Sequence, residues 1–167
     1  MSKSSVVTAR ETPLQKTTKA SAGSLVIHGD NLAVDSTTRV ELVDLTDRVM
    51  AYVRKFAIKE GMINLSSMHT TCALFINESQ SALDTDIIKF LEEMVAQDRY
   101  YKHNDPDHSD CDRRNADSHL RAVLLGHSLT LQVSGGEIVL GQWQRILMGE
   151  LDGPRARSLR VQVWGIG

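Results

Sequence analysis

SLTLQVSGGEIVLGQWQRILMGELDGPRARSLRVQVWGI, residues 128–166, is the stretch on which the fold class turns. It is a series of β-branched and apolar runs broken by GG at 135–136 and DGP at 152–154. Glycine supplies positive φ and proline presets a turn, so these breaks predict an antiparallel meander.

Working outward, NADSHLRAVLLG (115–126) predicts a short helix that Gly126 ends, and 98–115 predicts a polar loop. SALDTDIIKFLEEMVAQ (81–97) has helical spacing, with Leu83, Ile87, Leu91, Met94 and Val95 as its buried stripe. HTTCALFINE (69–78) reads as a buried strand with polar groups at both ends. Ordinary strand ends explain that pattern; so would a site bordered by His69 and Glu78. MINLSSMH precedes it and could continue it as one long strand bent near Thr70 and Thr71. TDRVMAYVRKFAIKEG (46–61) predicts a helix capped by Thr46 and stopped by Gly61, with Val49, Val53, Phe56 and Ala57 inward. SLVIH (24–28) and TTRVELVDL (37–45) predict two strands about a GDN turn. Strands and helices do not alternate regularly, which points to an α+β or mainly-β domain, not a doubly wound parallel sheet. Residues 24–167 form one domain, and the Ser/Thr/Lys-rich segment 1–23 reads as a flexible tail.

Composition narrows the function. Nineteen basic residues against twenty-one acidic give a net charge of -2, so no electrostatic footprint for nucleic acid is present. No run reaches the roughly eighteen apolar residues of a membrane span, and the N-terminus lacks a signal-peptide core. Cys72 and Cys111, without a CxxC, suit a reducing compartment, and a cytoplasmic location is expected.

The polar residues gather in three regions. The 98–115 loop holds His103, Asp105, Asp107, His108, Asp110, Cys111 and Asp112, and just beyond it stand Asn115, Asp117 and His119. Imidazole and carboxylate together ligate divalent metals or move protons near neutral pH. Equally, Asn115 or Asp117 can cap a helix and His119 can be a satisfied core histidine. In GEIVLGQWQ (136–144), Gly141 within a strand suggests close approach of a backbone or ligand, while Trp143 and Gln144 offer a flat face and an amide. A kinked strand with a core tryptophan reads the same way. Arg155 and Arg157 are planar forks suited to phosphate, or partners for Glu150.

HTTCALFINE, YYKHN, NADSHLRAVLLG, GEIVLGQWQ and ELDGPRAR stand in the order and approximate spacing of the YjbQ-like family, the secondary thiamine-phosphate synthase enzymes, which the chain resembles over 24–167. The resemblance implies an α+β, largely antiparallel β-sandwich-like domain with two or three helices, assembled as a homotrimer with a polar pocket near subunit boundaries. It implies a divalent metal, zinc first, held by His69, His103 and His119. Glu78, Asn77 and Asp117 take the catalytic places, and Asn115, Gly141, Trp143, Gln144 and Arg155 the substrate-binding ones. The family's Gly-Thr-Trp-Gln motif falls on 141–144, with Gln142 in place of threonine. The implied activity is a weak transfer that joins a pyrimidine pyrophosphate to a thiazole phosphate and releases pyrophosphate. The small phosphorylated metabolite could instead be hydrolysed, or bound without turnover by a trimeric scaffold.

Overall fold

The computed structural model describes residues 23–167; all but the last residue of the expected tail lies outside the described residues. The chain runs β1 (Val26–Asp35), β2 (Glu41–Asp44), α1 (Thr46–Lys55), β3 (Glu60–Ser67), β4 (Cys72–Asn77), α2 (Ser81–Met94), α3 (Ala116–Leu125), β5 (Ser128–Ser134), β6 (Glu137–Ile138), β7 (Arg145–Glu150) and β8 (Ala156–Ile166). This is an α+β fold with two antiparallel sheets, one of five strands in the order β1-β8-β3-β5-β6 and one of three in the order β2-β7-β4.

Two apolar layers hold it together. Val34, Ile63, Leu65, Val133, Leu159, Val161 and Val163 from the large sheet meet Cys72, Leu74, Ile146 and Met148 from the small sheet, with Val49, Met50 and Val53 of α1 filling between them. The opposite face of the small sheet carries a second cluster, Ala73, Leu91, Ala122 and Leu151, where α2 and α3 pack. The strand β4 is therefore covered on both faces: Cys72 and Leu74 point into one layer and Ala73 into the other. A strand buried on both sides reads as a continuous apolar run rather than an alternation, and CALF is such a run.

Local signals fail where pairing across the molecule overrides them. GDN is not a turn: Gly29, Asp30 and Asn31 lie inside β1 and pair with Gln162, Val161 and Arg160 of β8. As an edge strand β1 tolerates polar residues facing water. MINLSS and CALFIN are not one bent strand; β3 belongs to the large sheet and β4 to the small one, and the chain crosses between them at 68–71. The C-terminal meander is also broken. The GG hairpin joins β5 to β6 as expected, but β7 leaves for the small sheet and β8 returns to lie between β1 and β3. The helix α1 ends at Lys55, before Gly61, because Ala57 takes φ +52 and redirects the chain into β3. Ala57 is exposed and Ile58 takes the inward place. Its N-terminal acceptor is Asp44, whose Oδ1 takes the Thr46 N–H at 2.8 Å, so Thr46 itself is not the cap. In α2, Leu91 is buried, but Met94 is 51% exposed and departs from the expected stripe.

Candidate functional site

Register divides the expected site residues between two ends of the small sheet. Cys72 lies opposite Glu150 and Asn77 opposite Arg145. Those pairs are five residues apart along β4, about 17 Å at the usual rise per residue. His69 sits beyond the Glu150 end. Asn77 and Glu78 sit at the Arg145 end, directly after which the backwards chain reaches Gln144, Trp143 and Gly141. One site within a single chain therefore does not have both His69 and Glu78 on its border.

At the Glu150 end a buried charged network forms. Glu150 and Arg157 are a closed pair, 0% and 1% exposed at their side chains, joined through both carboxylate oxygens. Arg157 Nη2 also donates to Thr71 Oγ1 at 3.1 Å. Asp152 accepts from Asn115 Nδ2 at 2.8 Å, Arg113 Nε at 2.9 Å and Arg155 Nη2 at 2.8 Å. Asp117, fully buried, accepts from Arg39 Nη2 at 3.2 Å and faces Arg121 Nη2 at 3.6 Å. Charge-assisted hydrogen bonds from this many donors fix the orientation of the buried carboxylates. The arginines of ELDGPRAR are thus paired within the chain, Arg157 with Glu150 and Arg155 with Asp152.

Beside this network stand two histidines. His103 lies in a short 3₁₀ turn, Lys102–Asn104. Asn104 Oδ1 accepts the Ala116 N–H at 3.0 Å, which ties that turn to the start of α3. His119 lies one turn into α3. The rings of His103 and His119 meet edge to face with centroids 5.1 Å apart. They border a cavity of about 340 Å³ lined by Tyr101, Lys102, His103, Ala116, His119 and Leu120. Burial lowers the pKa of His119, the neighbouring His103 lowers it further, and the carboxylates of Asp152 and Asp117 oppose the shift. A neutral imidazole at that position offers a lone pair, usable toward a proton or a metal.

His69 is placed differently. Its Nε2 accepts the Ser158 N–H at 2.9 Å. In the neutral ring Nδ1 then carries the proton, and no lone pair is left for a metal. Burial and the Arg157 charge lower its pKa, in keeping with a neutral ring. Among the described residues, no group of three or more His, Cys, Asp or Glu side chains is arranged to hold a metal ion. His103 and His119 fit two positions of such a centre, and a third protein ligand is not gathered beside them within one chain.

The remaining expectations resolve as follows. Asn115 precedes α3 but spends its amide on Asp152 rather than capping the helix. Asn77 Oδ1 accepts the Glu78 N–H at 2.9 Å, a local turn at the end of β4. Gly141 is not in a strand; its N–H donates to Gln144 Oε1 at 2.7 Å, and a Cβ there would meet the Gln144 side chain at 3.2 Å. The close approach is thus to a neighbouring side chain. Trp143 is 47% exposed and is no core tryptophan. Sequence reading passed over Arg39, Arg113, Arg121 and Asp152. A signal for part of the network was present in ELDGPRAR, where Glu150 and Asp152, then Arg155 and Arg157, repeat with the period of two that sets extended residues on one face.

A family model described as UPF0047 protein YjbQ-like matches residues 30–166. The chain belongs to the YjbQ-like family. A UPF0047 protein of Methanothermobacter thermautotrophicus is 45% identical over 139 residues, 83% of this chain and 93% of that protein. The UPF0047 protein YugU of Bacillus subtilis is 29% identical over 134 residues, 80% of this chain and 97% of its own length. Among solved structures, a YbjQ-like protein of unknown function from Sulfolobus solfataricus superposes with a TM-score of 0.79 at 36% identity, covering 85% of this chain and 99% of that one. A hypothetical protein of Aeropyrum pernix gives 0.76 at 32% identity, covering 83% and 98%. The two-sheet arrangement of this YjbQ-like chain is thus a family fold.

Proposed function

We propose that this YjbQ-like chain is an enzyme acting on a small phosphorylated substrate in the cavity beside His103 and His119. The observation that carries the reading is the pair of imidazoles 5.1 Å apart on the wall of an open cavity, with Lys102 beside them. The first reaction to assay is the weak thiamine-phosphate-synthase type transfer that the resemblance implies. There a thiazole nitrogen bonds to the methylene carbon of the pyrimidine as the carbon–oxygen bond to diphosphate breaks. The electron pair leaves with the diphosphate, so the protein's task is to hold a growing anion. Lys102 supplies a cation at the cavity, and the two histidines supply donors or a proton acceptor. His103 and His119 would also hold a divalent ion, zinc by donor type, which when bound neutralises charge on a leaving diphosphate.

Homotrimer assembly belongs to the same proposal. Phe90 and Met94 of α2 are 57% and 51% exposed, and Leu120, Val123 and Leu124 of α3 are 43%, 70% and 56% exposed. Apolar helix faces of that extent mark contact surfaces. A second copy seated there would cover Leu120 and hence the edge of the His119 cavity, and could bring the Asn77, Glu78 and Trp143 end of its sheet toward it. A non-catalytic trimeric binding protein draws support from the same faces together with the incomplete metal set.

The test is diphosphate release from the pyrimidine pyrophosphate with and without thiazole phosphate. Release that requires both, with thiamine phosphate formed, supports transfer. Release without the thiazole points to hydrolysis, and none in either mixture with saturable binding points to a binding protein.

A further inference from the structure

Arg39, Arg113 and Arg155 converge on one buried carboxylate from three separate segments. The Asp152 side chain is 2% exposed, whereas those of Arg39, Arg113 and Arg155 are 37%, 53% and 31% exposed. The acids therefore lie underneath and the guanidinium groups outside. With Arg121 and Arg157 the network holds five arginines against three carboxylates, Asp117, Glu150 and Asp152, which leaves two positive charges in excess. Asp152 Oδ2 already accepts from Arg113, Asn115 and Arg155. A carboxylate offers about four lone-pair positions, against five N–H donors on each guanidinium. One donor shows the shortfall directly: Arg39 Nε is buried and has no hydrogen-bond partner.

We propose that the Arg39–Arg113–Arg155 cluster is an anion site that binds a phosphate or diphosphate group. Asp152 orients the forks and leaves their outer edges for ligand oxygens, the planar bidentate match that arginine offers and lysine does not. The cluster adjoins the His103–His119 cavity: Asn115, whose amide donates to Asp152 at 2.8 Å, directly precedes Ala116 of the cavity wall. The inference deepens the proposed function by giving the substrate's phosphate its holder, and it rests on that reading only for the identity of the ligand.

The experiment is calorimetric titration of the full chain with sodium diphosphate at constant ionic strength, turnover not being read. Wild type should bind saturably. Arg113→Ala, which truncates a half-exposed side chain, and Arg155→Ala should each weaken binding by about tenfold or more, the loss expected for a charge-assisted hydrogen bond. Arg54→Ala serves as charge control: Arg54 pairs with exposed Glu137, and binding there should equal wild type. No saturable binding by wild type, or equal weakening in Arg54→Ala and Arg113→Ala, overturns the site. A chain that binds diphosphate in this pattern but never turns substrate over retains the anion site and loses the catalytic reading.

Discussion

Two side chains carry most of what is unusual at the residue scale. Glu150 and Arg157 are closed off from water together, so removing one leaves the other charged and unpaired in a low-dielectric interior. Glu150→Ala should cost about 3–5 kcal/mol of unfolding free energy in urea denaturation, far more than a surface ion pair such as Lys89–Glu93. His69 gives a pH signature. Its pKa lies below the usual 6.5 because burial and Arg157 disfavour the cation. A depressed histidine pKa means that the unfolded chain takes up the proton first as pH falls. The stabilising contribution is therefore present above pH 6.5 and lost as the pH drops below it. Thermal midpoints between pH 7.5 and 5.5 should decline less in His69→Gln than in wild type; parallel declines in the two proteins would refute the coupling. His119 acts in the same direction.

At the scale of elements, two facing glycines set the approach of β3 to β8. Gly61 pairs with Gly165, and a Cβ on Gly61 would collide with the Trp164 carbonyl oxygen, one on Gly165 with the Glu60 carbonyl oxygen. Backbone cannot swing aside as a side chain can, so Gly61→Ala should destabilise by about 1–3 kcal/mol or more, measured by chemical denaturation. In the sequence Gly61 looks like a helix stop, whereas its place opposite Gly165 depends on strand pairing that no local signal shows. Helices α2 and α3 were readable because their apolar spacing and the terminal Gly126 are local features. The GG hairpin was readable for the same reason. Strand partners were not: nothing local in RILMGE says that it pairs with β2 and β4 while its neighbour β8 crosses to another sheet. The candidate site fared likewise. His103 and His119 were legible because they stand in YYKHN and NADSHLRAVLLG, two of the motifs that carry the family resemblance. Arg39 and Asp152 are 113 residues apart, and only the fold brings them together.

For the whole molecule, net charge of -2 hides a local surplus of arginine at one end of the small sheet. No helix among the described residues is long and apolar enough to cross a membrane, and the exposed faces of α2 and α3 need another explanation. The proposed homotrimer, if assembled through them, should give the mass of three chains in light scattering coupled to size-exclusion chromatography. Val123→Glu, placing a charge on the most exposed apolar position of α3, should shift the mass toward a single chain, whereas an unchanged mass would remove α3 from the interface. The central claim, that the His103–His119 cavity is where chemistry occurs, is tested most directly by turnover. Diphosphate release should fall by about a hundredfold or more in His119→Ala while the thermal midpoint stays near that of wild type. Wild-type turnover in His119→Ala would contradict the account.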